Sequence, residues 1–234
     1  MPESSARPTY PRILPVGEAA LTVEFGDRVD AALNNRVHAL DVALERAPVE
    51  GVLERVPSYR SLLVLYDPQT VTLAGLASTL LSLAQVVSET DATISGRLVE
   101  IPVRYGGEDG PDLEDVATHC GLATSQVVAL HTGATYQVAM LGFAPGFAYL
   151  LGLPGELSTP RLATPRLHVA PGSVGIAGNQ TGVYALATPG GWRIIGRTPL
   201  VLFDPDRQDP FALRAGDRVR FTDSLCLISS TPAC

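Results

Sequence analysis

The segment HVAPGSVGIAGNQTGVYALATPGGWRIIG (168–196) decides how this chain folds. Its apolar runs HVA, VGIAG, VYALA and WRIIG are three to five residues long, and Gly, Pro or Asn separates them. Runs this short cannot carry a helical stripe, so the spacing predicts strands of a β-barrel or sandwich. Working outward, YQVAML (136–141), LVLF (200–203), DRVRF (217–221) and LCLIS (225–229) have the same form. Gly216-Asp217 reads as a turn into an outer strand. Upstream lie two short predicted helices. Asp112 to Cys120 closes at Gly121, a natural left-handed stop, and Thr124 is placed to cap Ser125 to His131.

The first hundred residues are written differently. They hold 5 of the 22 glycines, against 17 in the remainder. Leu21, Val23 and Phe25 alternate as a strand does. Leu33, Val37, Leu40 and Leu44 then mark one face of a helix that must end before Pro48. Gly51–Val56 and Ser61–Tyr66 read as strands joined across Pro57-Ser58. Leu73, Leu76, Leu80, Leu83 and Val87 form a second helical stripe, and Leu98–Tyr105 is a further strand. The order β-α-β-β-α-β is that of a ferredoxin-like sandwich. The expectation is an α+β protein, with a ferredoxin-like domain over 1–97 and a β-barrel over 98–234.

All 17 basic side chains are arginine, and the chain has no lysine. That excludes Schiff-base chemistry, a Walker A phosphate loop and a biotin or lipoyl carrier on this chain. The net charge of −7 argues against nucleic acid as a partner. No apolar stretch approaches the ~18 residues of a membrane span. Cys120, Cys226 and Cys234 form neither a CxxC pair nor a zinc pattern, and free thiols fit a reducing cytoplasm. His38, His119, His131 and His168 show no metal-ligand spacing, so no metal site is expected.

Charge is unevenly placed. Residues 143–203 contain Arg161, Arg166, Arg193 and Arg197 but a single acid, Glu156. The guanidinium fork suits carboxylate or phosphate, so these arginines either form an anion site or pair with distant acids. The stretch Leu141–Leu150 sets Gly142, Pro145 and Gly146 among Phe143, Phe147 and Tyr149, the composition of a shaped loop or of a buried turn. Gly172-Ser173-Val174-Gly175 is not a nucleophile elbow, because Pro171 stands where that motif needs glycine. His131 is either a cation at a helix C-terminus or an acid–base group. His38, one residue off its helical stripe, is expected at a surface or boundary. Gln180, Thr181 and Tyr184 cluster in sequence. Trp192 follows the tight-turn signature TPGG and is either an anchoring surface or core.

These motifs, in this order, resemble the 5-oxoprolinase B-subunit family, also called allophanate hydrolase subunit 1 or the Kip-type kinase inhibitor family. The resemblance rests on HTGATYQVAMLGFAPGFAYLLGLP (131–154), TPRLATPRLHVAPGSVGIAGNQTGVYALATPGGWRIIGRTPL (159–200), LFDP, LRAGDRVRF and YGGEDGPDL (105–113). It implies a cyclophilin-like C-terminal barrel after the ferredoxin-like lobe. It also implies C-subunit-like and A-subunit-like partners, together opening 5-oxo-L-proline to L-glutamate at the expense of ATP. The motif positions on this chain are Phe143, Pro145, Gly146, Arg161, Arg166, Gly172, Ser173, Gln180, Thr181, Tyr184, Trp192 and Arg197. One departure is Ala185, where the family usually has proline.

On that reading Arg161, Arg166 and Arg197, with Gln180, Thr181 and Ser173, hold the substrate carboxylate or a phosphorylated intermediate. His131 or Tyr184 manages protons, and Phe143, Pro145, Gly146, Phe147 and Trp192 form a loop or partner contact. ATP is expected at a subunit interface or on a partner. Two other activities fall under the same resemblance: inhibition of a sensor histidine kinase through docking on its helical stem, and a urea-carboxylase-like carboxyl transfer that needs a biotinylated carrier elsewhere.

Overall fold

The computed structural model describes residues 8–88 and 96–224. Cys226, Cys234 and the run LCLIS lie outside the described residues. The chain divides into two compact units, Met1–Ser95 and Gly96–Cys234.

The first unit is one antiparallel sheet with two helices. Its elements are β1 (Arg12–Pro15), β2 (Ala20–Glu24), α1 (Ala31–Arg46), β3 (Val52–Pro57), β4 (Ser61–Tyr66) and α2 (Leu73–Val86), and the sheet order is β1-β2-β4-β3. Alternation works as read: Leu21 and Val23 on β2, and Leu62, Val64 and Tyr66 on β4, are buried against Val37, Leu40 and Leu44 of α1 and Leu76 and Leu80 of α2. Asp30 starts α1 by accepting from Ala32 N at 2.9 Å and Leu33 N at 3.2 Å, and Thr72 starts α2 by accepting from Gly75 N at 3.2 Å. Buried Glu24 is held between Arg12 at 2.5 Å and Arg60 at 2.8 Å, which ties β1 to β2 and to the turn before β4. His38, expected at a boundary, is only 5% exposed.

The strand order differs from the expected one. Leu98–Tyr105 is not the closing strand of this sheet; β1 fills that edge, antiparallel to β2. An eight-residue apolar strand satisfies either sheet, and a four-residue strand ended by Pro15 leaves almost no periodic signal.

The second unit is a closed barrel of order β10-β7-β6-β13-β5-β12-β9. Its strands are β5 (Leu98–Tyr105), β6 (Tyr136–Leu141), β7 (Ala148–Leu151), β9 (Ser173–Ala177), β10 (Gln180–Val183), β12 (Arg193–Arg197) and β13 (Arg218–Asp223). A two-stranded ribbon of β8 (Arg166–Val169) and β11 (Thr188–Gly190) stands apart from it. TPGG is therefore mostly strand, and VYALA is strand only at its first residue. Nor is β13 an outer strand. It pairs parallel to β5 from Arg218↔Leu98 to Asp223↔Val103, with β6 on its other side, and its Val219 and Phe221 are fully buried. Asp217 fixes the preceding turn by accepting from Arg97 at 2.7 Å and Arg214 N at 2.9 Å.

Helices α3 (Leu113–Cys120) and α4 (Thr124–Gly133) lie between β5 and β6. Gly121 stops α3 at φ 68° as expected. Thr124 is the first helical residue of α4 and does not cap it. Gln126 Oε1 instead accepts from Ala123 N at 2.8 Å.

The last turn of α4 puts His131 among the core side chains of this unit, with no exposed surface. Thr181 Oγ1 donates to Gly175 O at 3.0 Å, so it accepts from His131 Nε2–H, also at 3.0 Å. Nδ1 is then the acceptor for the Tyr105 hydroxyl at 2.8 Å. One polar chain thus runs Tyr105–His131–Thr181–Gly175, with Phe221 stacked on the imidazole at 4.4 Å. Burial lowers the His131 pKa to about 3, so the ring is neutral and not the helix-terminal cation considered from sequence.

Unfolding returns that ring to its ordinary value of 6.5, so the unfolded chain binds a proton that the folded chain refuses. Stability should fall as pH drops from about 6.5 toward about 3, with this residue contributing at most ~1.4 kcal/mol per pH unit. Urea denaturation across that range should show a shallower acid slope for His131→Asn than for the parent chain. The variant should also be less stable at neutral pH by about 1–3 kcal/mol, the penalty of hydrogen bonds left unmade.

Candidate functional site

Along β7, β9, β10 and β12 every second residue faces outward, and the outward set makes a pocket. Val174 and Ile176 of β9, Thr181 and Val183 of β10 and Ile195 of β12 point inward. Gly175, Gly182, Tyr184 and Ile194 lie on the other face. Gly175 and Gly182 are register partners on adjacent strands, so the wall carries a patch without side chains. Trp192 and Phe147 lie on that patch. A Cβ at Gly182 would sit 3.0 Å from Trp192 Cζ3 and 3.2 Å from Phe147 Cζ, and one at Gly175 would sit 3.1 Å from Trp192 Cβ.

The aromatics pack edge to face. Phe147 meets Tyr149 at 4.8 Å, Tyr184 at 5.0 Å and Trp192 at 5.5 Å between ring centroids. The Arg161 guanidinium stands over the Trp192 ring at 5.9 Å. Among the described residues no carboxylate pairs with Arg161. These groups, with Phe143, Pro165 and the turn Pro189–Gly191, line a pocket of about 210 Å³. Burial raises the Tyr184 phenol above its ordinary value, so it stays protonated and keeps a hydroxyl hydrogen to donate.

The loop Gly142–Gly146 forms one rim. Gly146 has φ 76°, and a Cβ there would come within 2.7 Å of Phe203 Cβ. Phe143 has φ 65°, the only non-glycine with positive φ among the described residues, and it is 62% exposed. An L-residue held there costs about 1–2 kcal/mol, and such outliers concentrate at ligand and partner sites. Pro145 is exposed beside it.

The arginine island does not converge on one point. Arg166 and Arg197 line a second pocket of about 210 Å³ with Glu108, His168 and Ser173. Arg166 Nη2 donates to Asp112 Oδ1 at 2.7 Å, and Asp112 Oδ2 accepts from Ile194 N at 2.7 Å. Asp112 is buried, so this pair is structural first. Arg197 Nε donates to Pro171 O at 3.0 Å and has no carboxylate partner among the described residues. Arg193 pairs with Asp115 at 3.2 Å.

His131 and Thr181 line neither pocket; their place is the barrel interior. Gln180 opens β10 and also lines neither. Ser173 Oγ has no hydrogen bond to a histidine or carboxylate among the described residues, so nothing there activates it. Tyr149, grouped in the sequence with Phe143 and Phe147 as wall aromatics, lines the first pocket with them. Glu108, Pro165 just before β8 and Pro189 in β11 carry no such signal in the sequence, and only tertiary structure brings them to the pockets.

Residues 11–213 match the family described as carboxyltransferase domain, subdomain C and D. The chain is 44% identical over 215 residues to the 5-oxoprolinase B-subunit of Bacillus subtilis (strain 168), covering 88% of this chain and 90% of that one. It is 47% identical over 208 residues to the protein of that name from Escherichia coli O157:H7, covering 88% and 93%. This chain belongs to the 5-oxoprolinase B-subunit family. Among solved structures it is similar to TTHA0988, with a TM-score of 0.75 and 41% identity over 88% of this chain. It spans 40% of that longer chain. Among the described residues no helix is long and apolar enough to cross a membrane, and no group of three or more His, Cys, Asp or Glu could hold a metal ion.

Trp192 is the sole tryptophan, so its emission reports on the pocket. Gly182→Ala should push the indole off the barrel wall, red-shift its fluorescence and lower stability by about 1–3 kcal/mol, the usual range for overpacking. An unchanged spectrum would mean that the glycine patch does not seat the ring.

Proposed function

We propose that this chain is one subunit of an ATP-dependent 5-oxoprolinase and is active only with C-subunit-like and A-subunit-like partners. The observation that carries the reading is 44–47% identity, over 88% of the chain, to proteins named as the 5-oxoprolinase B-subunit. The aromatic pocket supports it chemically. 5-Oxoproline is a flat lactam ring bearing one carboxylate and no cation. Trp192 and Phe147 offer ring faces, Arg161 offers an unpaired guanidinium, and Tyr184 offers a hydroxyl donor for the lactam oxygen. A donor on that oxygen strengthens as negative charge develops there.

The residues present do not fit a nucleoside triphosphate. There is no lysine, and the glycine-rich segment 172–178 is a barrel strand that opens no helix, so no ring of backbone N–H groups converges on a phosphate there. We therefore place ATP on a partner, whose phosphorylation of the lactam oxygen would turn a resistant cyclic amide into a better electrophile. That a chain matched over 88% of this one continues well beyond it in TTHA0988 fits a unit that works joined to others. At the finer level of fold, we read the first unit as a ferredoxin-like sandwich whose edge strand β1 comes from the N-terminal side, and the barrel as cyclophilin-like. The free thiol of Cys120 fits a cytoplasmic setting. The names of the relatives favour the hydrolase subunit over a kinase inhibitor or a carboxyltransferase.

Reconstitution with the two partner chains should give ATP-dependent release of glutamate that disappears when this chain is omitted; undiminished activity without it overturns the reading. Arg161→Ala should reduce kcat/KM by ~10- to 100-fold, the loss of one charge-assisted hydrogen bond. Its melting temperature should move little, because Arg161 pairs with no buried carboxylate and only its contact with the Trp192 ring is lost. Arg166→Ala should instead destabilise the barrel by roughly 1–3 kcal/mol, because it leaves one oxygen of the buried Asp112 carboxylate without its hydrogen bond.

A further inference from the structure

The second pocket differs from the first in charge pattern. The aromatic pocket has one guanidinium and no acid in its lining. The second has both signs available: Arg197 lacks a carboxylate partner and Glu108 lacks a cationic one among the described residues. The other charges are already spent. Asp109 is tied to Arg104 at 2.8 Å, and Asp112 to Arg166 at 2.7 Å. Two further donors complete the lining, the Ser173 hydroxyl and the His168 ring. Both lack a hydrogen-bond partner among the described residues. Arg166 Nη1 lies buried behind the wall, also without a partner.

A free cation and a free anion in a cavity of about 210 Å³ match a small molecule carrying both charges. A plain oxyanion would satisfy Arg197 but would face Glu108 unscreened. We propose that this pocket binds an acidic α-amino acid as its zwitterion. The α-carboxylate sits on the two free Nη groups of Arg197 and the ammonium on Glu108. The side-chain carboxylate accepts from Ser173 Oγ and the His168 ring. The choice of glutamate as probe rests on the proposed function, whose product it is; the charge pattern does not. The two pockets then sort substrate from product by chemistry. Ring opening converts a lactam nitrogen, which carries no charge, into an ammonium, which the aromatic pocket has no acid to meet.

The ribbon β8–β11 stands between the two pockets. Pro165 and Pro189 line the first, while Arg166 and His168 line the second, and Arg166 pairs with Gly190 in the ribbon register. A ligand held by His168 therefore bears on the same ribbon that shapes the aromatic rim.

Calorimetric titration of the full chain at neutral pH and low salt tests the assignment, with L-glutamate, glutarate, 5-oxo-L-proline and inorganic phosphate as probes. Glutamate should bind at least about ten-fold more tightly than glutarate or phosphate, since only glutamate uses Glu108. Glu108→Gln should weaken glutamate by about ten-fold and leave glutarate unchanged, whereas Arg197→Gln should weaken both. Neither should move the melting temperature. Equal affinity for phosphate or glutarate would make this an anion patch only and overturn the proposal. So would absence of glutamate binding, or its loss on Arg161→Ala but not on Arg197→Gln, which would put the ligand in the aromatic pocket. Each of these outcomes leaves the reconstituted-activity test of the subunit reading untouched.

Discussion

Two glycines without side chains hold the candidate site in place. Gly175 and Gly182 face each other on β9 and β10, on the outer face of a barrel wall whose inner face is Val174, Ile176, Thr181 and Val183. A Cβ at either position would press on Trp192, on its ring at 3.0 Å from Gly182 and on its Cβ at 3.1 Å from Gly175, and at Gly182 also on Ala148 O at 2.9 Å. With both absent, the indole and Phe147, packed edge to face, are buried while still lining a cavity. The glycines contribute nothing to the barrel core and weaken their strands. Their justification is the close approach they permit, and the Arg161–Trp192 contact and the Tyr184 hydroxyl follow from it.

The opposite face of the same wall explains why it can bear this arrangement. Gly175 O receives the end of the chain Tyr105–His131–Thr181, so the backbone beneath the patch is tied through the barrel to α4 and β5. Because Thr181 spends its hydroxyl hydrogen on that carbonyl, the imidazole must donate from Nε2, and the neutral ring is satisfied at both nitrogens. A polar group so enclosed rigidifies when fully partnered. It has no donor or acceptor left for chemistry outside the barrel. His131 therefore matters to the site through the wall and not through proton transfer.

Sequence legibility followed the physics of each element. The helical stripes at Leu33–Leu44 and Leu73–Val87 carry many residues per period and identify themselves. Strands β9 and β12 do so through their short runs between glycines. By contrast β1 has four residues and a terminal proline, and Leu98–Tyr105 has an apolar pattern that any sheet accepts, so its partner was not readable. The aromatic pocket was half legible: Phe143, Phe147, Tyr184 and Trp192 stand out, but the reason they converge is a register between two glycines. The arginine island was legible as composition and misleading as geometry. Arg161, Arg166 and Arg197 are near in sequence, yet the ribbon β8–β11 divides them between two cavities, and Arg166 is engaged by an acid 54 residues away.

That division bears on the missing lysine. A site that must stabilise a triphosphate needs a dense set of donors, and here the guanidinium groups are spread one by one: Arg161 over an indole, Arg166 on a buried carboxylate, Arg193 on Asp115, Arg197 at a second pocket. Each is fixed by a local task, and no two are free to clamp one phosphate chain. What remains unspent is small in charge and specific in shape. It suits recognition of a small carboxylate far better than activation of a nucleotide, which is why the proposed function places ATP on a partner.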